Sequence, residues 1–255
     1  MMVALAGSAQ IWPMPLRQRC KAKMADAPSN KRVNRRLIYG RRQGHRLHKK
    51  QARLAAHLLP KVSPDLSSFE RPRAWFGKTF SSYALEIGFG GGEHLAARAA
   101  QQPDCGFIGC EPFINGVVKL LTVIADEGRD NLAVYQDDAR NLLDALPDES
   151  LAVIYLLYPD PWPKTRHHKR RFMNAENLAA MHRVLQPKGE FFLASDVVDY
   201  VNWSLVQIKR HNGFDWPVSC ADDWRAPPPD WPGTRYEAKA LAAGRKSSYL
   251  RFIKS

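Results

Sequence analysis

Glycines and carboxylates stand in this chain at spacings that suit a cationic, nucleoside-bearing cofactor. The stretch Glu86-Ile87-Gly88-Phe89-Gly90-Gly91-Gly92-Glu93-His94 closes an apolar, strand-like run, SYALEIGF. Glycines at 88, 90 and 92 let the backbone turn tightly and approach a ligand where a Cβ would clash. A second short strand, GFIGCEP, carries Glu111, 19 residues after Gly92, a spacing that suits a carboxylate gripping ribose hydroxyls. A third, NLAVYQ, ends at Asp137-Asp138. A dinucleotide fingerprint beginning at Gly88 requires glycine at 93, where Glu93 stands, and acids at 86 and 93 are a poor setting for a pyrophosphate. A sulfonium with an amino group suits carboxylates better. The chain has no G-x-x-x-x-G-K-[ST] loop, which disfavours NTP hydrolysis. The plain alternative is a glycine-rich turn without a ligand; acids in register at successive strand ends weigh against it.

A fourth run, LAVIYLLY, is apolar on both faces, as a central parallel strand should be. It leads into Tyr158-Pro159-Asp160-Pro161-Trp162-Pro163-Lys164-Thr165, then Arg166-His167-His168-Lys169-Arg170-Arg171. Three prolines make a stiff loop that cannot continue into a helix, useful for holding a flat base against a reactive group. Asp160 can accept a hydrogen bond from a base edge. Trp162 can stack on that base or simply buttress the loop. Arg166, Lys169, Arg170 and Arg171 can hold phosphates. His167 and His168 lack accompanying metal ligands, so surface or RNA-contact roles outweigh zinc, and no metal is expected.

These motifs need a frame. Asn115 can cap a helix whose Val117, Val118, Leu120, Leu121 and Ile124 share one face, closed by Gly128. Leu178, Met181, Val184 and Leu185 mark another amphipathic helix, and EFFLASD a fifth strand. Strands separated by helices mean right-handed crossovers and a doubly wound, mostly parallel sheet. FDWPVS and SYLRFIKS suit an antiparallel pair at one edge. Residues 35–60 mix basic residues with a helix-like ending that stops at Pro60. The expected organisation is a basic, disordered extension over 1–34 and a single domain over 35–255, with 35–60 as an RNA-binding lead-in.

The net charge of +13 is localised: residues 1–60 hold 14 Lys or Arg against Asp26 alone, while 61–255 hold 24 basic and 24 acidic residues. Such a block is an electrostatic hook for a polyanion, or else a solvated tail. No apolar run approaches the roughly 18 residues of a membrane span. The first residues carry their charges after a short apolar stretch, the reverse of a secretory signal. Met24 is an alternative start, and an organelle transit peptide would be richer in Ser. The four cysteines form no C-x-x-C pair, with Cys105 and Cys110 read as small buried residues bracketing a strand. A reducing compartment, by default the cytoplasm, is expected.

PDPWPK followed by RHHKRR resembles the signature of the tRNA (guanine-N7-)-methyltransferases, and so do Ser195-Asp196, Thr234-Arg235-Tyr236-Glu237 with Gly244-Arg245, and Tyr39-Gly40-Arg41-Arg42-Gln43-Gly44. The resemblance covers about 35–255. It implies a Rossmann-like class I fold, S-adenosyl-L-methionine as cofactor, tRNA as partner, and methylation of a guanine N7 in the variable loop (tRNA position 46). Glu86, Gly88, Gly90, Gly92, Glu111, Asp138 and Asp160 would bind the cofactor: Glu86 the methionine end, Glu111 the ribose and Asp138, preferred to Asp137 because Ala139 follows it, the adenine. Asp160 would be the catalytic residue. Lys164, Asp196, Thr234, Arg235, Tyr236 and Glu237 would bind the target nucleotide. Arg41, Arg42, Arg166, His167, His168, Lys169, Arg170 and Arg171 would grip phosphates. Two rivals remain: an amino-methyltransferase, whose Asn/Asp-Pro-Pro-aromatic loop the order Asp160-Pro161-Trp162 matches imperfectly, and a non-catalytic RNA-binding protein of this fold. Monomer and homodimer both stay open.

Overall fold

The first strand, β1 (Ser82–Ile87), runs through the middle of a seven-stranded sheet, and its alternation divides the molecule. Leu85 and Ile87 enter a core on one face with Ile108, Leu142, Ile154, Leu156 and Met181; Ala84 enters a second with Phe107, Leu120, Leu121, Val134 and Tyr155. Strands buried on both faces belong to a sheet covered by helices on both sides. The computed structural model describes residues 37–68 and 71–255. The expectations for 1–34 and for Met24 lie outside these residues.

The chain proceeds α1 (Lys49–His57), α2 (Leu59–Val62), β1, α3 (Glu93–Gln101), β2 (Cys105–Cys110), α4 (Ile114–Glu127), β3 (Leu132–Tyr135), α5 (Ala139–Ala145), β4 (Leu151–Leu157), α6 (Ala175–Val184), β5 (Leu185–Ser195), α7 (Val198–His211), β6 (Phe214–Asp215), α8 (Asp222–Arg225), α9 (Arg235–Ala242) and β7 (Ser248–Lys254). The strand order is β3-β2-β1-β4-β5-β7-β6. Pairs among β1 to β5 are parallel, and β7 pairs antiparallel with both β5 and β6. The order reverses between β1 and β4, which makes their carboxyl ends the switch point where ligands bind such sheets. Leu37–Ser255 forms one compact unit.

Three local expectations are corrected. Pro60 does not end a helix: α1 ends at His57, and Pro60 sits in the first turn of α2, where a missing N–H costs nothing. Asn115 does not cap α4, whose N-cap is Phe113. Its amide instead accepts from Gly44 N (2.7 Å) and donates to His45 O (2.8 Å), tying the basic lead-in to α4. Leu185 opens β5 and lies outside α6. The expected antiparallel pair is present at one edge of the sheet, with β7 against β5 and the two-residue β6 outermost. Pro217, two residues on, has no N–H to donate to a ladder. Cys105 and Cys110 bracket β2 and are buried. Among the described residues no helix is long and apolar enough to cross a membrane.

Candidate active site

A cavity of about 560 Å³ opens over the carboxyl ends of β1, β2 and β4. Gly88 (φ 74°) and Gly90 (φ 58°) line it in left-handed conformations, which side-chain-bearing residues rarely adopt. Glu111 follows β2 and locks the turn: its Oε2 accepts from Gly90 N and its Oε1 from Phe113 N, both at 2.9 Å. Burial pushes the Glu111 carboxyl above its ordinary range, and these two backbone donors oppose the shift. The α4 helix begins just behind. A Cβ on Gly116 would stand 2.0 Å from Gly90 O, so only glycine lets the helix and the turn approach this closely.

The next wall comes from β3. Asp137 and Asp138 both line the cavity. Asp138 caps α5 through Arg140 N (2.9 Å) and shares its carboxylate with the Arg140 guanidinium. Asp137 pairs with Arg42 at 3.0 Å. Arg140 also donates to Leu37 O (2.9 Å), so residues 37–41 close over this side as a further wall. Apolar Ile87, Cys110, Ala139 and Leu156 complete it.

Opposite stands the proline loop after β4. Tyr158 (φ 50°) and Trp162 (φ 42°) are both left-handed and flank Asp160, a strained arrangement that packing must hold. Arg171 does so. It is 1% exposed, its Nε donates to Pro161 O (2.9 Å), its Nη2 pairs with Asp199, and it lies over Tyr200 and Trp203. Asp160 lines the cavity, and among the described residues no hydrogen-bond donor engages its carboxylate. Burial alone raises its pKa. Tyr236, at the start of α9, overhangs the turn, its Cε2 3.2 Å from where a Cβ on Gly90 would stand.

The structure therefore brings Gly88, Gly90, Glu111, Asp138, Asp160, Tyr236, Arg41, Lys169 and Arg170 to one cavity. Others are placed elsewhere. Glu86 is 2% exposed, does not line the cavity, and is bonded to His94 (2.7 Å): strand alternation turns it to the face opposite Ile87. Gly92 (φ 82°) caps α3 against Leu120 and also lies outside the lining. Arg171 lines the cavity too, but its guanidinium is buried, with Nε and Nη2 engaged by Pro161 O and Asp199 and Nη1 without a partner, so it does not face a phosphate in solvent. Glu237 is buried, accepting from Trp231 Nε1 (2.8 Å), Thr234 N (3.2 Å) and the Tyr249 hydroxyl. It forms a capping box with Thr234 at the start of α9. Asp196 caps nothing; it pairs with Arg245 at 2.6 Å. Lys164 and Arg166 are exposed beyond the rim, and Arg235 is exposed at the start of α9. His168 packs edge-on to Trp203. Burial, then Arg170, Arg166, Lys164 and Lys169, hold the His167 imidazole below its usual range. Sequence reasoning missed the 37–40 wall, Gly116 and His94. A helical glycine carries no outward sign of what it faces, whereas Tyr39-Gly40 stood beside a recognised basic pair.

Arg171→Ala is expected to lower stability by about 1–3 kcal/mol in urea unfolding, through the lost bond to Pro161 O and the lost packing on Tyr200 and Trp203, while the exposed Asp199 is left in solvent. The salt dependence of RNA binding should not change. A reduced salt slope in that variant would return Arg171 to the phosphate-binding set.

A doubly wound sheet, a glycine turn locked by the acid of the next strand, and an acid-lined cavity at the switch point define a class I methyltransferase, whose methyl donor is S-adenosylmethionine. The methyltransferase family model Methyltransf_4 matches residues 81–250. A tRNA (guanine-N(7)-)-methyltransferase of Agrobacterium fabrum is 51% identical over 219 residues, covering 85% of this chain and 94% of its own length. Proteins of the same name from Jannaschia sp. and Brucella melitensis are each 47% identical and covered over 94% of their length. The chain belongs to the tRNA (guanine-N7-)-methyltransferase family. In fold alone it is similar to the 16S rRNA methyltransferase KamB (TM-score 0.55, 17% identity, 73% of this chain and 92% of that one).

Proposed function

We propose that this enzyme methylates N7 of a guanine in the variable loop of tRNA (position 46), in the cytoplasm. The observation that carries the reading is Asp160. It is a solvent-accessible carboxylate on the cavity wall without an internal donor, held in a strained loop, and it shares one cavity with the glycine turn and Glu111. Its support is the name carried by relatives about half identical over 85% of the chain.

The residues fit S-adenosylmethionine. The cavity is large enough, its turn lacks side chains at Gly88 and Gly90, and Glu111, Asp137, Asp138 and Asp160 place carboxylates along the strand ends that a sulfonium and an amino group can meet. When bound, that group supplies an electrophilic methyl on a positively charged sulfur. Glu111 keeps lone pairs for ribose hydroxyls, since each of its oxygens accepts a single backbone N–H. Ile87, Cys110 and Leu156 offer an apolar slot for a flat base, with Asp137 or Asp138 at its edge.

Guanine N7 carries a lone pair and no proton, so the protein needs no general base at that atom. Its work is alignment and exclusion of water. Asp160 accepts from the guanine N1–H and exocyclic amine, pushing electron density towards N7 and rejecting adenine, which lacks that donor pair. Tyr236 presents an aromatic face between the turn and the incoming base. Exposed Lys164, Arg166, Lys169 and Arg41 hold phosphates around the mouth, while Arg170, whose guanidinium lies 4.6 Å from the Tyr39 ring and 5.0 Å from that of Trp162, braces the rim. Arg166→Ala is expected to reduce the slope of log K against log salt by about 1.

The test is methyl transfer from labelled S-adenosylmethionine to unmodified tRNA transcripts, with the product nucleoside identified. 7-Methylguanosine should form and disappear when the variable-loop guanine is replaced. A methyl group on another atom would instead establish the amino-methyltransferase reading.

A further inference from the structure

The glycine turn, α9 and the Asp160 loop are distant in sequence, yet a chain of hydrogen bonds with one ring contact in it links all three. His94, in the first turn of α3, is 2% exposed, and its Nδ1 lies 2.7 Å from Glu86 Oε2. A carboxylate only accepts, so Nδ1 carries the proton. The imidazole is edge-on to Tyr155 (centroids 4.9 Å) and tilted against Trp231 (4.7 Å). Trp231 Nε1 donates to Glu237, which also accepts from the Tyr249 hydroxyl. Tyr249 in turn lies against the Tyr158 hydroxyl, itself donating to Ser247 Oγ (2.9 Å). The chain begins two residues before Gly88, passes beside Tyr236 and ends two residues before Asp160.

Burial makes this expensive. An acid and an imidazole with almost no exposure lose their hydration, and His94 Nε2 is left without a partner. An apolar pair of the same size is often as stable or more so, so stability alone is a weak reason for the polar one. We infer that Glu86 and His94 are positioning residues: they lock the cofactor-side turn to the target-side wall, so that Tyr236 and Asp160 stand in register with the bound cofactor. This rests on the proposed use of the cavity by S-adenosylmethionine and a tRNA guanine. The glycine turn keeps its own bonds to Glu111 and Cys110 without the pair, so its loss falls on the target side.

His94→Phe keeps a ring against Trp231 and Tyr155 but removes the bond to Glu86, and Trp231→Phe cuts the same chain further on without stranding an acid. Each is compared with the wild type for S-adenosylhomocysteine affinity by calorimetry, tRNA affinity by filter binding, kcat, KM and melting temperature. Both should weaken tRNA binding and raise its KM about tenfold, with cofactor affinity changed less than twofold. The double variant should be no worse than the poorer single one, as for two cuts in one chain. His94→Asn, which restores an N–H near the place of Nδ1, should recover most of the loss. Lower melting temperatures with tRNA KM and affinity within twofold of wild type overturn the inference, as do losses that multiply in the double variant. Should His94→Phe fail to fold, Trp231→Phe and His94→Asn decide by the same criteria. A wild-type enzyme inactive on tRNA would sink the functional reading, and this inference with it; an active wild type beside unaffected variants sinks the inference alone.

Discussion

Asp160→Asn is expected to lower kcat/KM for tRNA about 100-fold, equivalent to about 2.7 kcal/mol of transition-state stabilisation. The asparagine is nearly isosteric, so the loop held by Arg171 should keep its shape. What changes is the charge and one acceptor: the amide turns an N–H towards the guanine donors and no longer pushes electron density to N7. Charge-assisted hydrogen bonds contribute about 1.5–3 kcal/mol, which sets the magnitude. Single-turnover methyl transfer checks it, and near-normal turnover would remove Asp160 from this role. The pH profile gives an independent reading. Burial raises the Asp160 pKa above the ordinary aspartate value of 3.8, and the ionised form is the active one. Activity is therefore full above the raised pKa and falls as pH drops through it, so the acid limb should lie above the normal aspartate range. In Asp160→Asn that limb should vanish.

Gly116→Ala should be as damaging, for a purely steric reason. In an exposed helix the change would stabilise by about 1 kcal/mol, since alanine is the better helix former. Here the new Cβ would meet Gly90 O at 2.0 Å, and the obstructing atom is backbone that cannot rotate away. The glycine turn must move, and with it the Gly90 N–H held by Glu111. Overpacking of this kind costs about 1–3 kcal/mol. Taken near the top of that range, S-adenosylhomocysteine affinity should fall about 100-fold, with a lower melting temperature. Gly77→Ala, where nothing stands within 4 Å of the added Cβ, is the matched control and should bind normally. Unchanged affinity in Gly116→Ala would mean that the cofactor tolerates a displaced turn.

The two variants probe features of different legibility. Asp160 was readable because its setting is local: three prolines at the end of an apolar strand make a stiff loop whatever surrounds it. Gly116 was not, since its meaning lies in a contact with residue 90 across the fold.

The same division runs through the whole molecule. Local pattern determined the strands, the turn at 88–92, Glu111 at the next strand end and the basic run after Asp160, because period, spacing and proline chemistry act within a few residues. Parallel topology then brings such strand ends to one edge, so the position of the cavity was implied as well. Only the tertiary structure decided which charged side chains stay in solvent. Arg171 and Arg166 stand in one basic run, yet one is buried and the other exposed. Glu86 and Glu111 both stand at strand ends, yet one turns to the far face and bonds His94 while the other holds the turn. Sequence can say that a residue is charged. Which neighbour satisfies that charge depends on faces meeting across long chain separations, and hydrogen-bond partners are chosen there, after the local structure is already formed.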